Sequence, residues 1–288
     1  MKPRVAITGA GGFLGTALTR ALIASGVDVH ALARRPISLP GIAWQPYELG
    51  GPLPESSFFA QVDAVVHLAF SMESSGQAME ARNVAAAREL HAAVRRAGRP
   101  FVFVSSMSAH AGAASSYGRA KWAIEQSLDP AVDTIVRPGL IVGPGGVYAR
   151  MLAALRRAPV VPVFYGGTQL IQPSGIDDDV AALQRILNQS LTGTFNLGSL
   201  QPISIRELYS RMLAAARLKR PLVPLPGNLT VRVLRATELL GLPLPLTAEN
   251  LLGQKHLRVF ETAASFARLG LTPTPLDQLP WVLPPSTA

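Results

Sequence analysis

The stretch that decides the fold is Thr8-Gly9-Ala10-Gly11-Gly12-Phe13-Leu14-Gly15, which lies between an apolar run at Arg4–Thr8 and a helical pattern over residues 14–24. Gly9, Gly12 and Gly15 recur at three-residue intervals. In a strand-to-helix connection the first glycine permits the tight turn, the second lets the backbone approach a pyrophosphate, and the third lets helix pack on strand. The start of the helix adds unpaired N–H groups and partial positive charge. A glycine pattern alone is weak evidence, and its position between strand and helix is what gives it meaning. Thr8, Gly9, Gly11, Gly12, Phe13, Leu14 and Gly15 are therefore candidates for cradling the diphosphate of a dinucleotide.

Working outward, short apolar runs at 27–32, 63–69, 101–105 and 133–137 read as strands buried on both faces, which need no polar alternation. Between them, 14–24, 78–97 and 117–128 carry helical patterns. Strand and helix alternating in this way imply right-handed crossovers and an α/β, doubly wound parallel sheet. Four glycines and two prolines crowd residues 138–146, and the domain junction is placed there, dividing 1–144 from 145–288. A return of the chain into the first domain stays open. The second part reads as smaller and mostly helical, with helices over Gly146–Arg157, 177–189, 204–218 and 228–239 and short strands at 194–197 and 257–260. Eleven of the 24 prolines lie after residue 200, favouring extended connectors over a second large sheet.

The end of the second strand bears on the choice of dinucleotide. NAD-preferring sites place an acid there for the ribose 2′-OH, whereas an arginine accommodates the 2′-phosphate of NADP. Here the segment runs Leu32-Ala33-Arg34-Arg35, without an acid. Arg34 and Arg35 thus favour NADP, with NAD as the alternative.

Ser115-Ser116-Tyr117-Gly118-Arg119-Ala120-Lys121 places Tyr117 and Lys121 four residues apart, on one face of a helix. A neighbouring ammonium lowers the cost of a phenolate, so the pair can exchange a proton with a hydroxyl or carbonyl during hydride transfer. The fifth strand candidate ends in Ser105-Ser106-Met107-Ser108, so Ser106 or Ser108 can meet the same substrate oxygen.

Together these segments resemble the extended branch of the short-chain dehydrogenases/reductases, the NAD-dependent epimerase/dehydratase family. The resemblance rests on TGAGGFLG at 8–15, VDAVVHLA at 62–69, Asn83-Val84, VSS at 104–106 and YGRAK at 117–121. It extends through RPGLIVGPG at 137–145, IDDDVA at 176–181 and GTFNLG at 193–198 to RLGLTPTP near the C-terminus. It implies a Rossmann-type domain with a smaller substrate domain. By position, Tyr117 becomes the acid/base, Lys121 holds the ribose and tunes Tyr117, and Ser106 orients the substrate oxygen. It also implies that Leu68, Ala69, Asn83, Ser105, Pro138 and Gly139 line the cofactor, and that the protein is a homodimer. The serine-to-tyrosine spacing is short, His110-Ala111-Gly112 replaces the family's V-Y-G, and no acid pair follows the serines. Dehydratase chemistry is therefore disfavoured.

Composition sets outer limits. With 48% hydrophobic and 16% charged residues among 288, the chain should fold on its own. The net charge of +9 comes from 27 basic and 18 acidic side chains, scattered without the aromatic interleaving of a nucleic-acid groove. Cysteine is absent, which excludes thiol chemistry and thiolate metal sites, and the five histidines lack helical ligand spacing; no metal is expected. Neither a signal peptide nor a membrane span is read, and a cytoplasmic protein is the expectation. The leading functional reading is an NAD(P)-dependent oxidoreductase or epimerase acting on a small molecule, phosphorylated or nucleotide-linked in one version. The alternative is a non-catalytic NAD(P)-binding redox sensor or assembly protein.

Overall fold

The computed structural model describes residues 2–282 except 38, 73–75, 229, 232–233 and 235–247. Its centre is a seven-stranded sheet. In chain order the strands are β1 (Arg4–Thr8), β2 (Asp28–Ala33), β3 (Ile42–Pro46), β4 (Ala64–His67), β5 (Phe101–Val104), β6 (Thr134–Pro138) and, after four short strands outside the sheet, β11 (Gly193–Leu197). All pair in parallel in the spatial order β11-β6-β5-β4-β1-β2-β3. The chain winds one way from β1 to β3 and the other way from β4, so direction reverses between β1 and β4. A crevice outside the carboxyl ends of the strands is expected at that point.

Both faces of the sheet are covered, which is why the strands read as unbroken apolar runs. On one face α1 (Phe13–Ala24) packs through Leu14, Leu18 and Leu22 on Val5, Ile7, Val29 and Val66. The other face receives α2 (Ser56–Ala60), α3 (Gly76–Arg96) and α4 (Ser116–Glu125), whose Phe59, Leu90 and Ile124 meet Ala6, Val65, Phe101 and Phe103. Alternate residues of one strand thus serve opposite layers.

The remaining helices are α5 (Gly146–Arg157), α6 (Ile176–Gln189), α7 (Ile205–Ala215), α8 (Ala248–Lys255) and α9 (Ala263–Leu269). The chain does return: β11 joins β6, and α6 and α9 bury Leu183, Ile186, Phe266 and Leu269 in the α1 layer. Around α5 and α7 lies a separate cluster with Tyr148, Leu152, Leu208 and Trp281.

Three short strand pairs in the second half were not legible: β7 (Leu140–Val142) with β10 (Pro173–Gly175), β8 (Val161–Phe164) with β13 (Leu222–Leu225), and β9 (Leu170–Ile171) with β12 (Ile203–Ser204). The strand expected over 257–260 is absent. Its Phe260 is held instead by the Gln172 amide, which accepts from Phe260 N at 2.8 Å and donates to Phe260 O at 2.9 Å. Much of the helix expected over 228–239 lies outside the described residues.

Candidate active site

The glycine turn closes tightly at the carboxyl end of β1. Gly9 has a positive φ of 70°, and a Cβ there would lie 2.8 Å from Ala69 N. Gly15 presses on the carbonyl of Gly9, with no flexible side chain to yield. Both positions therefore require glycine. Gly12, the N-cap residue of α1, offers no side-chain cap, and no acid occupies the first turn. The helix N-terminus is left to meet an anion by its own N–H groups. Phe13 turns its ring away toward Gly143 and Gly146, where added Cβ atoms would lie 2.8 and 2.9 Å from it.

Thr8 ties this turn to β4. Its buried Oγ1 accepts from the N–H groups of Leu68 and Ala69, both at 3.2 Å, and lies 2.7 Å from His67 Nδ1. With both N–H groups donating, the hydroxyl proton is directed to His67 Nδ1. His67 stacks against Phe101 and Phe103, and burial, reinforced by the charge of Lys121, holds its pKa down to about 3. It is a neutral structural imidazole. Beside it Ser105 Oγ is buried and has no partner among the described residues. An uncapped helix start, an obligatory-glycine turn and an unpartnered hydroxyl fit a dinucleotide.

The loop after β5 brings the serine and tyrosine together. Ser115 caps α4 by accepting from Gly118 N at 3.2 Å, and a Cβ on Gly118 would lie 2.5 Å from Ser108 O. The first turn of α4 is thereby pressed onto residues 106–108. Ser106 Oγ accepts from Ser108 N at 3.1 Å, and the Ser106 side chain acts on the Tyr117 hydroxyl, favouring its ionised form. Burial raises the Tyr117 pKa, and the Ser106 side chain opposes it more weakly. The lowering expected from Lys121 is not the controlling influence.

Lys121 Nζ is buried, donates to Val104 O at 2.7 Å, and lies 4.9 and 4.7 Å from the ring centres of Phe70 and Phe103. Burial lowers its pKa to about 7, against the opposing charge of Glu125 one turn further on. Glu125, itself buried, forms a two-pronged ion pair with Arg137 of β6. The sequence reading missed Glu125, although Tyr117, Lys121 and Glu125 continue at four-residue spacing. It also missed Phe70, an aromatic directly after the HLA segment.

Other candidate positions divide. Asn83 is buried, accepts from Ser71 N at 2.8 Å and donates to Ser71 O and Met79 O at 2.9 and 2.8 Å, so it pins the loop after β4. Pro138 O accepts from Met107 N at 3.0 Å, and Gly139 N donates to Leu197 O at 2.7 Å, which joins the ends of β5, β6 and β11. Arg34 and Arg35 are exposed just beyond β2, where the sequence placed them. His110 donates from Nε2 to His256 O at 2.8 Å and accepts from Gly112 N at 3.1 Å on Nδ1. Among the described residues, no helix is long and apolar enough to cross a membrane.

A parallel sheet with a glycine turn after its first strand and Ser106, Tyr117 and Lys121 at the same carboxyl edge defines a Rossmann-like α/β protein. The chain belongs to the NAD dependent epimerase/dehydratase family, whose model matches residues 5–198. It is 32% identical over 209 residues to the ceramide reductase of Caulobacter vibrioides (strain NA1000 / CB15N), a match covering 68% of this chain. The chain spans about 65% of that relative's length. The solved structure of TunA, an NAD dependent NDP-hexosamine 5,6-dehydratase of tunicamycin biosynthesis, aligns with a TM-score of 0.64 at 26% identity, covering 78% of this chain and 85% of that one. A UDP-glucose 4-epimerase from Thermotoga maritima shares the fold, with a TM-score of 0.70 at 17% identity and 94% of each chain covered.

Proposed function

We propose that this protein is an NAD(P)-dependent oxidoreductase that reduces a ketone to a secondary alcohol, with the reverse reaction available. The observation that supports this reading is the placing of Ser106, Tyr117 and Lys121 together on the sheet edge that also carries the glycine turn, with Lys121 donating to Val104 O at the end of β5. When bound, the nicotinamide supplies or removes hydride at its C4. Thr8, Gly9, Gly11, Gly12, Phe13, Leu14 and Gly15 would hold the diphosphate end, Leu68, Ala69 and Ser105 the nicotinamide half, and Lys121 the ribose. Asn83, Pro138 and Gly139 act by fixing the loops that these residues occupy.

In the reducing direction the carbonyl carbon gains the hydride, and its oxygen takes the Tyr117 hydroxyl proton as the π bond opens. Ser106 donates to the same oxygen and orients it. Burial that raises the Tyr117 pKa keeps the phenol protonated at neutral pH, which suits a proton donor better than a base. Arg34 and Arg35 support a preference for the 2′-phosphate of NADP over NAD. The face of α3 and α4, grooved between Glu80, Val84, Arg119 and Ala123, is proposed as the homodimer contact. The likeness to TunA favours a second reading, in which the substrate is nucleotide-linked.

Tyr117→Phe removes the transferable proton and keeps the ring. Turnover should fall by at least about a hundredfold, in line with general acid–base contributions, while cofactor affinity changes little. Turnover retained in that variant refutes the assignment.

A further inference from the structure

The loop after β4 places an aromatic ring against both reactive side chains. Phe70 meets the Tyr117 ring edge-on, with centres 4.9 Å apart at 72°, and lies 4.9 Å from Lys121 Nζ. The loop is held in place by Asn83, which engages both backbone groups of the next residue, Ser71. Two residues on, Met72 is 66% exposed. On the other side of Ser106, Met107 is buried, and added Cβ atoms on Gly139 and Gly198 would lie 3.5 and 2.9 Å from its Sδ and Cε. The Tyr117–Lys121 face of the site is thus lined by an aromatic ring.

The amide and imidazole side chains of the same loops are engaged with the protein's own backbone. Asn83 uses both donors and its acceptor. Gln172, beside Gly139 and Gly198, donates to Ser199 O and Phe260 O and accepts from Phe260 N. His110 uses both ring nitrogens. A polyhydroxylated substrate desolvated against the Phe70 ring would leave the hydroxyls on that side unpaired, and each such group is costly. An alkyl chain would not.

We infer that Phe70 is a specificity-determining residue that selects substrates whose reacting oxygen is flanked by an unbranched apolar chain. This rests on the oxidoreductase reading and narrows its substrate class to aliphatic ketones and secondary alcohols. Phe70 forms the wall for the chain, while Ser106 and Tyr117 take the single oxygen.

The test uses the full-length protein loaded with NADP⁺ or NADPH. Reduction of 2-alkanones of increasing length, with dihydroxyacetone as the polar comparison, gives kcat/KM for the protein and for Phe70→Ala and Phe70→Leu. The value should rise with chain length. In Phe70→Ala the long-to-short ratio should drop about tenfold, while Phe70→Leu, which keeps an apolar side chain, should stay within about threefold. An unchanged ratio in Phe70→Ala, or a preference for dihydroxyacetone, overturns the inference. Calorimetric binding of 2-decanol to the NADP⁺ complex is read in parallel: binding weakened about tenfold by Phe70→Ala supports the inference even where turnover is absent, and no binding overturns it. Binding without turnover of any ketone or alcohol would instead overturn the oxidoreductase reading, so the two failures are distinguishable. If Phe70→Ala does not fold, the chain-length dependence of the unaltered protein and its binding of 2-decanol still decide: no rise with length, or no binding, overturns the inference.

Discussion

Replacing Thr8 with valine removes one hydroxyl and almost no volume, yet the structure gives that hydroxyl three partners. Oγ1 donates to His67 Nδ1 at 2.7 Å and accepts from Leu68 N and Ala69 N at 3.2 Å each. Leu68 N also reaches Thr8 main-chain O at 3.2 Å, so it keeps a partner in the variant. His67 Nδ1 and Ala69 N lose theirs inside a site where Thr8 is fully buried. An orphaned buried polar group costs about 1–3 kcal/mol, so two of them amount to roughly 4 kcal/mol. At about 2 °C per kcal/mol for a chain of this size, the midpoint of thermal unfolding should fall by about 8 °C. The loop cannot easily close the gap, because Ala69 already lies against Gly9. Thr8→Ser is the control: it keeps the hydroxyl and loses a buried methyl, for about 1 kcal/mol. Urea unfolding of the two variants measures the difference. A Thr8→Val loss no larger than that of Thr8→Ser would refute the shared-hydroxyl argument.

Three further outcomes follow from the same structure. Glu125→Ala strips the carboxylate from a buried, two-pronged pair and leaves Arg137 uncompensated, which should destabilise by about 3–5 kcal/mol in urea unfolding, while Glu125→Ala with Arg137→Leu recovers part of the loss. Arg34→Ala should raise the KM for NADPH several-fold more than that for NADH; equal effects on both would remove the 2′-phosphate assignment. His67 has a pKa held near 3 in the folded protein against 6.5 unfolded, so below pH 6.5 the unfolded chain takes up a proton that the folded one does not. Its stabilisation is complete above pH 6.5 and is lost on acidification toward pH 3, by up to about 1.4 kcal/mol per pH unit. Comparing the pH dependence of unfolding with that of His67→Asn isolates this slope, which should vanish in the variant.

The parts of the fold that were legible are those where one local requirement dominates. Buried parallel strands show as apolar runs, as at Val65, Val66, Phe101 and Phe103, because both faces are covered. By contrast β3 is an edge strand with exposed Trp44, and its pattern Ile-Ala-Trp-Gln-Pro matches neither an apolar run nor strict alternation. The short pairs of the second half have two to four residues each, fixed by tertiary partners rather than by propensity. The site shows the same division. Gly9, Gly15, Tyr117 and Lys121 are visible because spacing along a turn or a helix is written in the chain. Phe70 is not, since its contact with Tyr117 spans 47 residues and depends on Asn83 holding the intervening loop. Asn83 itself was assigned by position to the cofactor, and only its three hydrogen bonds show that its influence runs through Ser71. Residues that touch the reacting atoms are constrained by chemistry to a few types at fixed spacing, whereas those that shape the surrounding pocket are constrained only by geometry. A position such as Phe70, placed beside Tyr117 by the fold alone, is therefore where the sequence carries the least local signal.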